Sequence, residues 1–128
     1  AGGNLTIDVA EDIILDADGL IVFSGPIRVN SFDEDAGDGQ AIPITNYATY
    51  FATGGAETST LAVGSAQGQI KVLVMKIDNG NMVTTVTNAG WKTSGTGTIT
   101  FDTIGDGVTL QYIDSKWYCI GNNGCAFA

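Results

Sequence analysis

Side chains that commonly carry enzyme chemistry are either missing from this sequence or set apart from a partner. The chain has no histidine, which is the commonest general base and a frequent metal ligand. Its two cysteines, Cys119 and Cys125, therefore lack the histidine that would activate a thiolate nucleophile. No serine occurs in a Gly-x-Ser-x-Gly sequence, and most carboxylates fall in predicted turns or in one acidic loop rather than in the paired arrangement of glycoside hydrolases. We predict that the protein is not an enzyme and carries no cofactor.

Clustered carboxylates make calcium binding the main chemical alternative. One cluster precedes Gly19, and the other, in the sequence DEDAGDGQ of residues 33–40, includes Glu34 and precedes Gly39. Both supply hard oxygen ligands, but neither follows the twelve-residue EF-hand spacing. Because Asp-x-Asp-Gly also forms turns, and acidic loops are typical of solvated surface, we predict no metal site. The weak calcium candidates are Asp12, Asp16, Asp18, Asp33, Asp35 and Asp38.

Aromatic side chains are the remaining candidates for binding. They stack on sugars and are enriched at protein interfaces. The candidates for a ligand platform or an interface patch are Trp91, Tyr47, Tyr50 and Tyr118. Trp91, between Gly90 and Lys92, is predicted to be partly exposed, whereas Trp117 and Phe101 fit the predicted core.

Composition and charge exclude two classes of partner. The chain has 128 residues, 14 acidic and five basic side chains, and a net charge of −9. Without a basic patch it is not expected to bind nucleic acid or an anionic membrane surface. Its longest apolar runs, such as residues 72–75, are too short to span a bilayer. Only 15% of the residues are charged, against about 25% in ordinary domains. This low fraction favours a surface that is buried in an assembly or covered by Thr, Ser, Asn and Gly.

The C-terminal third has the clearest strand pattern. Short runs at residues 98–101, 108–113 and 116–120 are rich in β-branched and aromatic residues and are bounded by turn residues. A two-residue turn at Asp114-Ser115 would place Tyr112 opposite Trp117 and Leu110 opposite Cys119. In that register one face is apolar. Its members are Val108, Leu110, Tyr112, Trp117 and Cys119. We predict a C-terminal β-meander.

The rest of the chain also indicates strands. Residues 4–9, 13–15, 20–23 and 27–32 are strand-like, and residues 46–52 are the one place where a short helical turn is plausible. Residues 69–77 form the longest apolar strand, apolar on both faces, which predicts a central strand covered on both sides. The sequence Asp78-Asn79-Gly80-Asn81 predicts a hairpin into residues 82–87. We therefore predict a single all-β domain over residues 1–128: a compact sandwich, barrel or β-prism of short antiparallel strands.

The spacing of the two cysteines allows two arrangements. A five-residue loop over residues 120–124 would place Cys119 and Cys125 close enough for a disulfide bridge. A two-residue turn at Asn122-Asn123 would instead pair Ile120 with Cys125 and send the two sulfurs to opposite faces. Because asparagine tolerates the positive φ of such a turn, we favour two reduced, mostly buried thiols.

Two stretches resemble the virion proteins of tailed bacteriophages, particularly those of marine phages. Residues 8–19, DVAEDIILDADG, are similar to a turn-and-strand motif that recurs in phage tail fibres and other β-rich structural proteins. Residues 68–124 are similar to the C-terminal part of many small phage structural proteins, in which a GQIKVLVMK strand leads to a TITF…GDGVTLQY…W…IGNNG ending. Together they cover a little over half of the chain and contain no catalytic residues.

The resemblance implies a non-enzymatic structural protein on the surface of a virion, usually a homotrimer. Because a chain of this length lacks the long repeats of a fibre shaft, we expect a capsid decoration or cement protein. It would stabilise the shell through contacts with its own copies and with the major capsid protein or other virion subunits.

Two other functions are kept as alternatives. One is a tail-fibre or receptor- or carbohydrate-binding module that recognises a host surface glycan. The other is a subunit of an extracellular filament. Ala1 is consistent with removal of an initiator methionine or of a signal peptide, and the latter would favour the filament.

Overall fold

Ten β-strands make up the regular structure of the part of the chain that our computed structural model describes, namely Gly25, residues 32–34 and residues 37–128. The strands are β1 (Phe32–Glu34), β2 (Gln40–Ala41), β3 (Ala48–Ala52), β4 (Glu57–Leu61), β5 (Ile70–Ile77), β6 (Met82–Val86), β7 (Gly97–Phe101), β8 (Gly107–Ile113), β9 (Lys116–Asn123) and β10 (Ala126–Phe127). No helix occurs within these described residues, which confirms the all-β prediction. The strands predicted at residues 4–9, 13–15 and 20–23 lie outside them, as does the strand predicted at 27–32 except for Phe32, which begins β1.

The strands form two five-stranded sheets that pack as an open sandwich. Sheet A has the order β1-β3-β5-β8-β9, and sheet B has the order β10-β7-β6-β4-β2. Inward side chains of both sheets form one core. At its centre the ring of Phe51 from sheet A meets that of Phe101 from sheet B, with 5.0 Å between the centroids. Of the three predicted architectures, the sandwich is therefore the one that forms.

The first six strands alternate between the two sheets. From β3 onward, each of them pairs in parallel with the strand two places before it in the chain. β1, β3 and β5 pair in parallel in sheet A, and β2, β4 and β6 do so in sheet B. Only the later pairs, β5–β8, β8–β9, β6–β7 and β7–β10, are antiparallel. The predicted antiparallel pairing thus holds for the C-terminal half, whereas the N-terminal half winds back and forth between the sheets.

The turn at residues 78–81 shows how the chain passes from sheet A to sheet B. We predicted a hairpin there, but β5 lies in sheet A and β6 in sheet B, so the prediction is wrong. The Thr53 hydroxyl donates to the carbonyl of Gly80 at 2.7 Å, and the Asn79 side-chain amide donates to the carbonyl of Thr53 at 2.8 Å. Gly80 has φ 154°, and a Cβ there would collide with the backbone of Gly55. The contacts of Asn79 and Gly80 with the 53–55 loop therefore direct the chain from sheet A to sheet B.

The C-terminal hairpin has the predicted register. Tyr112 pairs with Trp117 and Leu110 with Cys119, and Asp114 and Ser115 form the two-residue turn with φ 47° and 64°. The wider meander does not form, because β7 pairs with β6 in sheet B.

Two further local predictions are wrong. β9 continues through Asn123, and the chain turns at Gly124, with φ 84°, so no Asn122-Asn123 turn pairs Ile120 with Cys125. Residues 48–52 are the strand β3 rather than a helical turn. There Thr49 and Phe51 are fully buried while Tyr50 and Ala52 are half-buried, an alternation typical of a strand.

Candidate functional site

The outer surface of sheet A is apolar along its central strand β5, whereas the neighbouring strand β8 places Thr109 and Gln111 on the same side. On β5 the inward residues Leu73 and Met75 are buried, while Ile70, Val72 and Val74 point outward and are half-buried. Ile113 on β8 and Tyr118 on β9 extend this surface, 39% and 38% exposed. We call this surface the apolar face. Its members are Tyr50, Ile70, Val72, Val74, Ile113 and Tyr118.

The apolar face carries no charge at its centre. In β3, β5, β8 and β9 the charged side chains are Lys71, which points inward, and Lys76 and Lys116, which lie near strand ends. The Lys116 ammonium donates to the carbonyls of Lys92 and Thr93 at 3.3 and 3.2 Å, so it turns toward the neighbouring loop. The apolar side chains of such a surface favour contact with another uncharged surface.

An open depression of about 360 Å³ lies at one end of the apolar face. Its lining residues are Val74, Gly105, Gly107, Val108, Thr109, Gly121, Asn122 and Asn123. The side-chain amides of Asn122 and Asn123 donate within the chain, to the carbonyls of Cys125 at 3.0 Å and Gly105 at 2.8 Å. The lining contains no titratable side chain, so the depression suits an apolar side chain better than a charged ligand.

The outer surface of sheet B has different chemistry. Outward positions on β4, β6 and β7 form two cross-strand rows, and five of these six positions are threonine. We call this surface the threonine face. Its members are Thr58, Thr60, Val83, Thr85, Thr98 and Thr100. Because threonine hydroxyls bond readily to water, this face suits solvent, and the two sides of the sandwich therefore differ in polarity.

The four aromatic candidates do not form a single platform. Trp91 lies beside β10, where its ring meets Phe127 edge to face with 4.8 Å between centroids, and its indole N–H donates to the carbonyl of Ala128 at 3.2 Å. Tyr50 and Tyr118 share the apolar face, but β5 and β8 separate their strands. Tyr47, 38% exposed, immediately precedes β3. A stacking site would have to use these rings separately.

Of the six calcium candidates, only Asp38 has a described side chain. Its Oδ1 accepts hydrogen bonds from the backbone N–H of Thr58 at 2.6 Å and from the Thr58 hydroxyl at 2.9 Å. The backbone bond, followed by the hydroxyl bond, lowers the pKa of Asp38 below its ordinary value. Asp38 therefore fixes the loop before β2 to β4.

The structure does not describe the side chains of the other five calcium candidates. Asp12, Asp16, Asp18 and Asp35 lie outside the described residues, and Asp33 is described only as backbone in β1. Among the side chains that the structure does describe, no group of three or more cysteines and carboxylates could ligate a metal ion.

Both cysteines are free thiols, as predicted, although the Asn122-Asn123 turn on which that prediction rested does not form. Cys125 is buried, but Cys119 is exposed, so the prediction that both are mostly buried is wrong for Cys119. The position of β9 at the edge of the described strands of sheet A explains the difference, because none of the other nine strands pairs with its outer side. Burial, together with the nearby charge of Asp106, raises the pKa of the Cys125 thiol to about 12.

The two thiols should therefore differ sharply in reactivity. We expect iodoacetamide at pH 8.5 to alkylate Cys119 in the native protein, and Cys125 only after unfolding, because alkylation requires an accessible thiolate. Peptide mass spectrometry after timed quenching would measure the two rates, with Cys119→Ser as the control that leaves only the protected thiol. Equal rates at both cysteines in the native protein would contradict this placement of Cys125.

Lys71 is a buried polar residue that the sequence analysis did not single out. It is fully buried, and its ammonium donates to the carbonyls of Pro43 and Asn46 at 2.8 and 2.9 Å and to the Thr49 hydroxyl at 2.9 Å. The strand alternation could have revealed its burial, because Lys71 lies on the same side of β5 as the buried Leu73. Its contacts tie the loop before β3 to the middle of sheet A, which is a structural role.

Comparison of the sequence with models of protein families and with curated proteins gave no match. Within the described part of the chain, no helix has the length and apolar character needed to cross a membrane.

Proposed function

We propose that this chain is a non-enzymatic structural protein of a virion, a capsid decoration or cement protein that acts as a homotrimer. The observation that carries the proposal is the contrast between the two sides of the sandwich: the outer side of sheet A is apolar along β5, and that of sheet B is covered with threonine. The apolar side chains of β5 suit contact with protein, while the threonine face suits the outside of a particle. The resemblance of residues 8–19 and 68–124 to phage virion proteins supports the particle as the location.

The stabilising action would come from burial. Each Å² of apolar surface that is removed from water contributes about 25 cal/mol, so even a modest contact with the shell, repeated over many copies, adds up. A protein that binds only the assembled shell stabilises it by mass action, and the shell comes apart less readily. The partners are copies of this chain and the major capsid protein or another virion subunit.

The functional groups that the structure describes also fit a structural role. The buried carboxylate of Asp106 accepts hydrogen bonds from the backbone N–H groups of Asp102 and Thr103, at 2.9 and 3.0 Å, and so caps a turn. Lys71 and Asp38 likewise bond to the chain itself. These bonds support the assignment of polar side chains to structure rather than to catalysis.

The winding of β1–β6 favours a second candidate, a tail-fibre or receptor-binding module. Parallel strands that alternate between two sheets can be extended coil by coil, as in elongated repeat proteins. In that function an exposed aromatic side chain such as Tyr118 would meet a host surface glycan.

Immunogold electron microscopy of virus particles from the genome that encodes this chain would test the proposal. Antibodies against the purified protein should label heads at many regularly spaced positions. Label confined to the tail would favour the second candidate, and particles without label would overturn both.

A further inference from the structure

We propose that the depression on the outer side of sheet A is a binding site for a short neutral oligosaccharide. The depression forms where glycines leave the sheet without side chains, and its lining is uncharged. This inference goes beyond the proposed function, because a protein that only stabilises a shell needs no soluble ligand.

Two rows of paired residues cross the outer side of sheet A at this point. The first row runs from β3 to β9, and its members are Tyr50, Val74, Gly107 and Asn123. The second row lies beside it, and its members are Val72, Thr109 and Gly121. Because directly paired residues point to the same side of a sheet, each row presents its side chains together. Members of both rows line the depression.

Glycine leaves the floor of the depression open. Gly107 and Gly121 occupy outward positions on the paired strands β8 and β9, so the floor lacks side chains at both places. A Cβ at Gly121 would meet only Thr109, at 3.7 Å, so the space above Gly121 is free. With strands about 4.8 Å apart, the row from Tyr50 to Asn123 spans about 14 Å. That length gives room for a short oligosaccharide rather than a single sugar ring.

The lining offers hydrogen bonds but no charge. Within the described part of the chain, neither the Thr109 hydroxyl nor the Asn123 side-chain carbonyl makes a hydrogen bond, so both are available to a ligand. They match the hydroxyls of a neutral sugar, which donate and accept, whereas a charged ligand would meet no opposite charge. A purely apolar ligand would bury both groups without partners, which costs free energy.

Tyr50 supplies the apolar part of sugar recognition. It pairs directly with Val74, which lines the depression, and it is half-buried on the outer side of sheet A. The C–H face of a sugar ring packs on an aromatic ring, while the hydroxyls at its rim bond to polar groups. The first row therefore places an aromatic ring at one end and the amide of Asn123 at the other, a combination that suits a neutral sugar.

Nuclear magnetic resonance of the isotope-labelled full chain would test the site, with maltotriose, cellotriose, laminaritriose and mannotriose as neutral probes. At least one probe should receive saturation transfer from the protein, and its titration should shift the backbone amides of Gly107, Gly121 and Asn123. Because an open site covers only one side of its ligand, we expect a dissociation constant on the order of 1 mM. Failure of all the probes to bind would overturn the inference.

Gly121→Val should raise the dissociation constant by about tenfold or more, because its side chain fills the floor of the depression. A β-branched residue suits a strand, and the contact with Thr109 is an ordinary one, so folding should be preserved. Gly54→Val is the matched control, since a Cβ in that loop meets only Glu57, at 3.6 Å. Binding by Gly121→Val as tight as by Gly54→Val would contradict this placement of the ligand.

The two outward tyrosines separate this site from a general affinity of sheet A for sugars. Tyr50→Leu should weaken binding several-fold, whereas Tyr118→Leu should leave it unchanged, because Tyr118 lies in the row of Ile70 and Gln111, away from the depression. The reverse ranking would place the sugar near the edge of β9 and overturn the inference. Decoration of particles is tested by their labelling, so a failure of sugar binding leaves the proposed function standing.

Discussion

Replacing Trp117 with alanine should lower the free energy of unfolding by about 3–5 kcal/mol, the usual cost of removing a large buried aromatic side chain. Trp117 has no exposed surface, and its ring lies 5.0 Å from that of Tyr112. Its indole N–H also donates to the carbonyl of Ala62 at 2.8 Å, so the variant loses a hydrogen bond as well as packing. Urea unfolding followed by far-UV circular dichroism would measure the change.

Trp91→Ala is the matched control, because it removes the same side chain from a half-buried position. Trp91 packs against Phe127 at the edge of sheet B, outside the centre of the core. We expect its loss to cost about 1–2 kcal/mol. If Trp91→Ala proved as destabilising as Trp117→Ala, the two tryptophans would have been assigned to the wrong environments.

Lys71→Met should destabilise the protein by about 2–4 kcal/mol, because the thioether keeps the packing but leaves hydrogen-bond acceptors without their donor. The affected acceptors are the carbonyls of Pro43 and Asn46 and the hydroxyl of Thr49. The loop before β3 should also loosen, which would appear as faster hydrogen exchange at residues 44–47. Denaturant unfolding and amide exchange would measure the two effects.

Lys76→Met tests whether burial or residue type is responsible. Lys76 lies on the same strand but is exposed, so its replacement should change stability by less than about 0.5 kcal/mol. A Lys71→Met variant as stable as Lys76→Met would show that the Lys71 contacts add nothing to the fold.

Local pairing was predictable because two independent signals agreed. The Asp114-Ser115 turn and the apolar alternation of β8 and β9 both require Tyr112 opposite Trp117, and the structure has that pair. Each signal spans only a few residues, and the structure keeps the pairing that both of them require. The exposure of Cys119 escaped prediction because it depends on which strand lies at the sheet edge.

Sheet membership was not predictable from the same signals. Asp78-Asn79-Gly80-Asn81 reads as a hairpin turn, but the bonds of Asn79 and Gly80 to Thr53 carry the chain to the other sheet. Thr53 is remote in sequence from the turn, so the sequence of the turn alone does not predict its hydrogen bonds to Thr53. The same limit applies to Lys71, whose acceptors lie in a distant loop.

The candidate surfaces were partly visible in the sequence. The apolar residues on both sides of β5 predicted cover on both faces, and that pattern now defines the apolar face. The aromatic set was predicted by type alone. Residue type cannot show that Trp91 packs against Phe127 while Tyr50 and Tyr118 lie on different strands of sheet A.

The winding of β1–β6 between the sheets also sets an order for folding. β8 and β9 are joined by a two-residue turn, and a hairpin of this kind forms in about 1–10 μs. By contrast, β3 pairs with β5, and β4 with β6, only after the chain has passed through an intervening strand in the other sheet, which requires closing a longer loop. The β8–β9 hairpin is therefore expected to become ordered first, although β1–β7 are synthesised before it, and the earlier strands are expected to pair afterwards. Ribosome-stalled chains that end before β8 should remain sensitive to protease, and protection of such chains would contradict this order. The order in which the strands are synthesised and the order in which they pair are thus expected to run in opposite directions along the chain.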